Sequence, residues 1–155
     1  MKRALPVLFA SLATVACSSG APRAQKVEII QPELVFRQSV GPSDLNYPRG
    51  FLEVKYDVQV ANRSAEPITV RRIEIQSDAS GAYVIRKDRF LFDQKIDPDH
   101  FAVVSFWVRG LARGDSARGT APVTIRGVVY FDSPVGAFHQ FFIRELSQFP
   151  RKPGE

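Results

Sequence analysis

Cysteine occurs only once in these 155 residues, at Cys17, so no disulfide can form within the chain. Histidine occurs only twice, at His100 and His139. The sequence also has no Gly-x-Ser-x-Gly segment, no His-Glu-x-x-His segment and no glycine-rich phosphate loop. Because these are common signatures of catalytic sites, we expect no catalytic residue, no cofactor and no enzyme activity.

A strong excess of charge of one sign is also missing. The chain has 21 basic and 16 acidic residues, a formal net charge of +5. Without Lys2 and Arg3, which lie in a segment that we expect to be removed, 19 basic residues leave a charge of +3. No stretch combines clustered basic residues with interleaved aromatic ones, so we expect no binding to nucleic acid. A hydrophobic content of 45% and a charged content of 24% indicate one globular domain rather than general disorder.

Residues 1–16 have the three parts of a secretory signal: a basic tip, an apolar run and then small residues. The apolar run, of about a dozen residues, is too short to span a membrane. The site Thr14-Val15-Ala16-Cys17 resembles the lipobox of bacterial lipoproteins, with Thr14 where leucine is usual. The resemblance implies that Cys17 is lipidated and becomes the new N-terminus. The alternative is an ordinary signal that is cut near Ala16 or Ala21 and leaves a soluble periplasmic protein.

Several expectations about location follow from this resemblance. Multiple acyl chains on Cys17 would anchor the protein to a membrane without a transmembrane helix. In Gram-negative lipoproteins an aspartate after the cysteine tends to signal retention in the inner membrane, so Ser18 implies the outer membrane, facing the periplasm. We predict that residues 17–26 form a flexible tether with a reach of at most ~30 Å. Residues 27–146 then form the domain, and residues 147–155 form a flexible tail.

The middle of the chain alternates between apolar and polar residues, which is typical of a half-buried β-strand. In residues 51–61 the even positions from Leu52 to Val60 are apolar and the odd positions from Glu53 to Gln59 are polar. Turn-forming residues follow at 62–67, and an extended pattern resumes at 68–75. We therefore predict a β-hairpin with one apolar face, which the other strands must cover.

About seven or eight short strands recur at roughly ten-residue spacing, and no segment indicates a helix. This pattern predicts an all-β protein: a single antiparallel β-sandwich. Residues 52–144 resemble an immunoglobulin-like or fibronectin-type-III-like domain in strand spacing, in the segment 60–70 and in the turn at 97–99. The sequence departs from true immunoglobulin domains because their Cys…Trp…Cys pattern is absent. The sandwich of late-embryogenesis-abundant proteins is similar in pattern.

Two strands are more apolar than a half-buried strand requires. In residues 101–108 both alternating sides are apolar apart from Ser105, and the last strand carries aromatic residues on both sides. We predict that the segments at 37–50 and 90–96 cover these strands. Residues 89–96 form either a covering loop or another short strand. The alternative is an open aromatic patch, which would mark a surface for a partner. The candidate partner surface consists of four aromatic residues: Phe106, Trp107, Phe138 and Phe142.

Three further groups of polar residues need an interpretation. Arg109, Arg113 and Arg118 lie in or beside a loop with one acidic residue, so they are candidates for contact with anionic lipid headgroups or an acidic envelope polymer. A solvated surface is the simpler interpretation of these arginines. The Asp97-Pro-Asp-His100 segment could hold a metal ion, but we predict a turn without metal. We interpret His139 as a half-buried residue of a strand rather than a catalytic base.

These observations together predict a non-catalytic lipoprotein of the cell envelope. It would be tied to the membrane by its lipid and would bind or scaffold an envelope protein in the periplasm, for example by strand addition. One alternative is a stress-protective or chaperone-like sandwich with weak, broad clients. Another is a small hydrolase or metal-binding domain.

Overall fold

The computed structural model describes residues 30–41, 50–112 and 121–147. The predicted signal at 1–16, the predicted tether at 17–26 with Cys17, and both Arg113 and Arg118 lie outside these residues. So does the predicted tail at 147–155, except for Ser147. The described part contains eight strands and no helix. The strands are β1 (Glu33–Val40), β2 (Gly50–Ala61), β3 (Ile68–Ser77), β4 (Tyr83–Ile85), β5 (Asp88–Ile96), β6 (Phe101–Ala112), β7 (Val123–Ser133) and β8 (Gly136–Leu146).

The strands form two four-stranded sheets that pack face to face. The first sheet has the order β1-β2-β6-β4, and the second has the order β5-β3-β7-β8. All neighbouring strands are antiparallel. The predicted all-β antiparallel sandwich is therefore confirmed.

The core lies between the two sheets and is built by the alternation of the strands. In β2 the apolar even-numbered side chains from Leu52 to Val60 are buried, and Val70, Ile73 and Ile75 of β3 are buried in the same core. Burial of each such side chain contributes about 1.5–3 kcal/mol to folding. The same alternation leaves the other side of each strand on an outer face of the sandwich, and this is what positions the candidate site.

The chain crosses from one sheet to the other between β2 and β3, so the predicted hairpin of these strands is wrong. Asn62, which is buried, holds the crossing. Its Nδ2 donates to the carbonyl oxygens of Glu66 (2.9 Å) and Ile96 (3.1 Å), and its Oδ1 accepts from the backbone N–H and hydroxyl of Ser64. Turn-forming residues end a strand, but they do not determine whether the next strand pairs with it or joins the facing sheet.

The segment 97–100 is the turn between β5 and β6, as predicted. The His100 N–H donates to the carbonyl oxygen of Asp97 at 3.2 Å, and Asp99 has a φ of 57°. His100 Nδ1 lies 2.8 Å from the carbonyl oxygen of Pro98. The carbonyl oxygen of His100 accepts from the N–H of Asn62 at 2.9 Å, which ties this turn to the crossing between β2 and β3.

Two buried tyrosines join three strands of the first sheet. The hydroxyl of Tyr83 in β4 donates to Gln38 Oε1 in β1 at 2.5 Å. The hydroxyl of Tyr56 in β2 therefore donates to Tyr83, also at 2.5 Å. Burial, together with the neighbouring hydroxyl of Tyr83, raises the pKa of Tyr56 well above its usual value.

The raised pKa of Tyr56 predicts a loss of stability in alkali. Above pH ~10 the unfolded chain releases this proton while the folded chain keeps it. The free energy of unfolding is therefore unaffected below pH ~10 and then falls, by up to about 1.4 kcal/mol per pH unit for this group. Urea unfolding between pH 7 and pH 11 measures the fall. Tyr56→Phe should reduce it and Tyr130→Phe, on an outer face, should not; an equal fall in Tyr56→Phe would contradict the assignment.

Candidate functional site

An apolar surface lies on the outer side of β6. Along this strand the even-numbered side chains point into the core and the odd-numbered ones point outward. Of the outward side chains, Phe101 is 64% exposed and Trp107 is 51% exposed, and Val103 and Leu111 are also exposed. We call this surface, together with Phe51 of the adjacent strand β2, the β6 face. Its residues are Phe51, Phe101, Val103, Ser105, Trp107, Arg109 and Leu111.

A polar strip crosses the middle of the β6 face. Ser105 pairs with Asp57 of β2 in the register, and its hydroxyl donates to Asp57 Oδ1 at 2.6 Å. Lys55 Nζ lies 3.8 Å from the same carboxylate oxygen. Partial burial acts to raise the pKa of Asp57, but hydrogen bonds from Ser105 and Ser39 and the charge of Lys55 outweigh it and lower the pKa. The strip is therefore charged and fixed, and it divides the face into two apolar halves.

A groove lined by apolar and mostly basic residues lies at the Leu111 end of the β6 face. Its volume is about 270 Å³. Phe51, Val84 and Leu111 are the apolar residues that line it, and Arg86, Lys87, Asp88 and Arg109 are the charged ones. The groove thus joins the β6 face to the connection between β4 and β5.

The two arginines of this groove have no ion-pair partner among the described residues. The guanidinium of Arg109 lies 5.2 Å from the centre of the Phe51 ring, a cation–π arrangement. Lys87 Nζ, in contrast, pairs with Glu74 Oε2 at 3.2 Å. Within residues 30–41, 50–112 and 121–147, neither Arg86 nor Arg109 forms an ion pair. The groove can therefore receive a carboxylate or phosphate beside apolar groups.

The structure separates the four aromatic residues of the predicted partner surface. Trp107 lies on the β6 face, but Phe106 is only 5% exposed and Phe142 only 3% exposed. Phe106 stacks on Phe90 at 4.5 Å, and Phe142 stacks on Phe36 of β1 at 4.2 Å. Phe106 and Phe142 therefore belong to the core and not to an exposed surface. Neighbouring residues of a strand point to opposite sides, so Phe106 and Trp107 cannot share one face.

Phe138, the fourth aromatic residue, is half-buried and stacks on Phe131 at 5.0 Å. Of the three arginines predicted to contact an anion, the structure describes only Arg109, which lies beside Trp107 on the β6 face. Arg113 and Arg118 are not among the described residues. Phe51 was not among the site residues predicted from the sequence. The register of β2 against β6 brings Phe51 opposite Leu111, and single-strand alternation does not give that register.

Within the described residues, the side chains of the β6 face remain exposed, and residues 42–49 of the predicted cover at 37–50 lie outside those residues. Residues 90–96, the other predicted cover, belong to β5 of the other sheet. Phe90 and Phe92 of β5 contact the inward ring of Phe106. Of the two alternatives for residues 89–96, the short strand is therefore confirmed, and it covers the inward side of β6 and not the outward side chains.

The remaining polar candidates do not form a site together. His139 was predicted to be half-buried, but it is exposed on the outer side of the second sheet, where its ring contacts Tyr130 and Phe141. His100 lies in the turn before β6. In the part of the chain that the structure describes, no three His, Cys, Asp or Glu side chains are grouped so that they could hold a metal ion. The described part of the chain also contains no helix that is long and apolar enough to cross a membrane.

Comparison with known proteins supports the fold alone. No protein family model and no curated protein matches the sequence. The structural-genomics target SoR45 is similar in structure, with a TM-score of 0.50, 10% sequence identity, and coverage of 80% of this chain and 87% of that chain. A protein from Archaeoglobus fulgidus (TM-score 0.46, 15% identity, 74% of this chain, 94% of that chain) is also similar. So is the putative ApaA protein from Bordetella pertussis (TM-score 0.46, 16% identity, 81% of this chain, 100% of that chain).

Proposed function

We propose that this chain is a non-catalytic binding module of the bacterial cell envelope. A lipid on Cys17 would hold it at the outer membrane, and the sandwich would bind an envelope protein in the periplasm. The observation that supports this proposal is the β6 face, where exposed apolar side chains lie on both sides of a polar strip. Exposed apolar surface that is bordered by polar residues marks interaction sites on soluble domains.

The composition of the β6 face fits a protein partner. Trp107 lies near its centre, and tryptophan is among the residues that contribute most to binding energy when a partner covers them. The strip of Ser105, Asp57 and Lys55 offers hydrogen-bonding groups that would orient the partner. The partner would place apolar side chains against Trp107 and Leu111 and an acidic group against Arg86 and Arg109, since opposite charges steer and orient association.

The basic groove lies at the end of β6 opposite the point where the chain enters the sandwich. The chain enters the sandwich at β1, and Glu33 pairs with Ala61, which in turn pairs with Phe101. The groove lies at the other end of β6, at Leu111. Ten residues of strand separate the two ends, roughly 33 Å at about 3.3 Å per residue. The groove therefore lies far from the side on which the tether enters.

Capture of the partner in intact cells tests the proposal. The variant Val103→Ser/Trp107→Ser removes two exposed apolar side chains of the β6 face without touching the core. Its matched control is Leu91→Ser, an exposed apolar residue of β5 in the second sheet. After chemical crosslinking, the wild type and the control should yield one discrete partner at stoichiometry. The double variant should yield at least about tenfold less, as expected when side chains at the centre of an interface are lost.

Equal capture by the double variant and the control would contradict the β6 face as the binding surface. A third result would favour the chaperone-like alternative. In that case the wild type would yield no discrete partner, and the purified protein would suppress the aggregation of unrelated clients.

A further inference from the structure

The last strand, β8, is an edge of the second sheet among the described strands. It is 11 residues long, and its pairing with β7 shows no bulge. Its sequence has no proline and no lysine, which are two residues that commonly block the pairing of an edge with another chain. On its outer side Phe141 is 73% exposed, and Ile143 is also largely exposed. β8 is thus a long, regular and partly apolar edge that another strand can join.

A second copy of β8 is itself a candidate for that strand. In an antiparallel pair, residues directly opposite each other lie on the same side of the sheet. Along β8 the even-numbered and odd-numbered side chains lie on opposite sides, so a symmetric pair must oppose even with even and odd with odd. The two-fold axis must therefore lie where one residue opposes the same residue of the second copy, and not between two residue pairs. This leaves few possible registers.

With the axis at Phe142, the side chains of the two copies match along the whole overlap. The charged and polar residues oppose each other, and so do the apolar ones. The opposed pairs, each with one residue from the second copy, are Phe142 with Phe142, Phe141 with Ile143, Gln140 with Arg144, His139 with Glu145, and Phe138 with Leu146.

The neighbouring registers do not match in this way. An axis at Phe141 opposes Arg144 with Phe138 and Glu145 with Ala137. An axis at Ile143 opposes Phe141 with Glu145 and Phe142 with Arg144. Both would bring charged side chains against apolar ones in place of polar partners, which disfavours pairing.

An unsatisfied polar atom supports the same register independently. Gln140 Oε1 is buried and accepts no hydrogen bond within the described part of the chain. Buried polar atoms are normally hydrogen-bonded, so this acceptor needs a donor. Arg144 uses Nη1 to donate to the carbonyl oxygen of Ile143, at 2.8 Å, and the other donors of its guanidinium remain for Gln140 of a second copy.

We propose that two copies of this chain pair antiparallel through β8, about a two-fold axis at Phe142. The pairing joins the two second sheets into one sheet of eight strands. It buries Phe141 and Ile143 of each copy against one another and gives Gln140 Oε1 a donor. It uses neither the β6 face nor the lipid on Cys17, so it stands or fails separately from the function proposed above.

Single cysteines test the register directly. The full chain is prepared with Cys17→Ser, which removes its only native thiol, and then carries either Phe141→Cys or Ile143→Cys. At the proposed register, residue 141 of one copy lies about 4.5–5.5 Å (Cα to Cα) from residue 143 of the other, within reach of a disulfide. Two copies of residue 141 lie on a diagonal about 7–8 Å apart, which is too far. Leu91→Cys, on the opposite edge strand β5, is the matched control.

Mild oxidation of a mixture of the two variants should give a disulfide-linked dimer that contains one chain of each. Either variant alone, and the Leu91→Cys control, should give at least about tenfold less dimer. Efficient dimer formation by Phe141→Cys alone or by Ile143→Cys alone would overturn the proposed register, since it places the axis at that residue. Dimer yields no higher in the mixture than in the Leu91→Cys control would overturn pairing through β8.

Sedimentation velocity of the Cys17→Ser chain gives a readout without introduced thiols. The protein should be a dimer, and Phe141→Lys, which places two lysines in the interface, should raise the dissociation constant by on the order of tenfold or more. A monomer at all concentrations from about 1 to 100 µM would overturn the proposal. A dimer that Phe141→Lys leaves unchanged would also overturn it, because the interface would then lie elsewhere.

Discussion

Replacement of Gly127 by alanine should lower the free energy of unfolding by about 3 kcal/mol or more. Gly127 lies in β7 opposite Ile75 of β3, and a Cβ atom built on it would lie 1.8 Å from the carbonyl oxygen of Glu74. It would also lie 2.8 Å from the ring of Phe142. The first contact is with backbone of a central strand, which cannot move without breaking the pairing of β3 with β7. The loss is large because domains are stable by only about 5–15 kcal/mol.

Urea unfolding of the two proteins, followed by circular dichroism, measures this loss. Val128→Ala is the control, because Val128 is the next residue of β7 and lies on the outer side of the sheet. It should lower the free energy of unfolding by about 1 kcal/mol or less. If Gly127→Ala unfolds within about 0.5 kcal/mol of the wild type, the close approach of β3 and β7 is not as described.

Replacement of Cys17 by serine should abolish the incorporation of fatty acid into the protein. The sulfur of Cys17 is the only thiol in the chain, and lipidation in bacterial lipoproteins occurs on such a cysteine. Stable anchoring requires more than one acyl chain, since each buried CH₂ contributes about 0.8 kcal/mol and a single short chain binds only reversibly. Growth with labelled palmitate, followed by isolation of the protein, measures the incorporation.

Two variants of the next residue control this experiment. Ser18→Ala should retain the label and the location of the wild type. Ser18→Asp should also retain the label, but the protein should move from the outer-membrane fraction to the inner-membrane fraction. A wild-type protein without label would contradict lipidation and favour a soluble periplasmic protein cut near Ala16 or Ala21. Label that persists in Cys17→Ser would place the acyl chains on another residue.

The strands of the sandwich were predictable because their alternation is a local property of the sequence. Residues 51–61 carry apolar side chains at every even position from Leu52 to Val60, and β2 buries that side. The turn at Asp97-Pro-Asp99 was predictable for the same reason, since proline and aspartate favour turns wherever they occur. Fold class and turn positions therefore follow from short stretches of chain.

The pairing of the strands was not predictable in the same way. The pattern of β2 and β3 predicted a hairpin, but the two strands lie in different sheets. Each strand has one apolar side in either arrangement, so the pattern does not distinguish them. In β6 both sides are apolar, so alternation groups Phe106 with Val104 and Val108 without showing which side is inward. That choice depends on the rings of Phe90 and Phe92, which reach Phe106 from the facing sheet.

The basic groove depends on three separate segments of the chain. Arg109 lies on β6, Phe51 lies on β2, and Arg86 lies just after β4. Only the pairing of β2 and β4 with β6 brings them together. The sequence grouped Arg109 instead with Arg113 and Arg118, its neighbours along the chain. The sequence shows which residues are neighbours along the chain, but it does not show which strands pair.

The most direct test of the β6 face as the binding surface is site-specific photo-crosslinking in living cells. A photoreactive amino acid is placed at Val103, which leaves Trp107 and the groove intact, and, in a separate strain, at Leu91 on the other sheet. We predict one discrete adduct from position 103, none from position 91, and loss of the adduct when Trp107→Ser is added. No adduct from position 103, or the same adduct from position 91, would contradict the proposal that this face binds a partner.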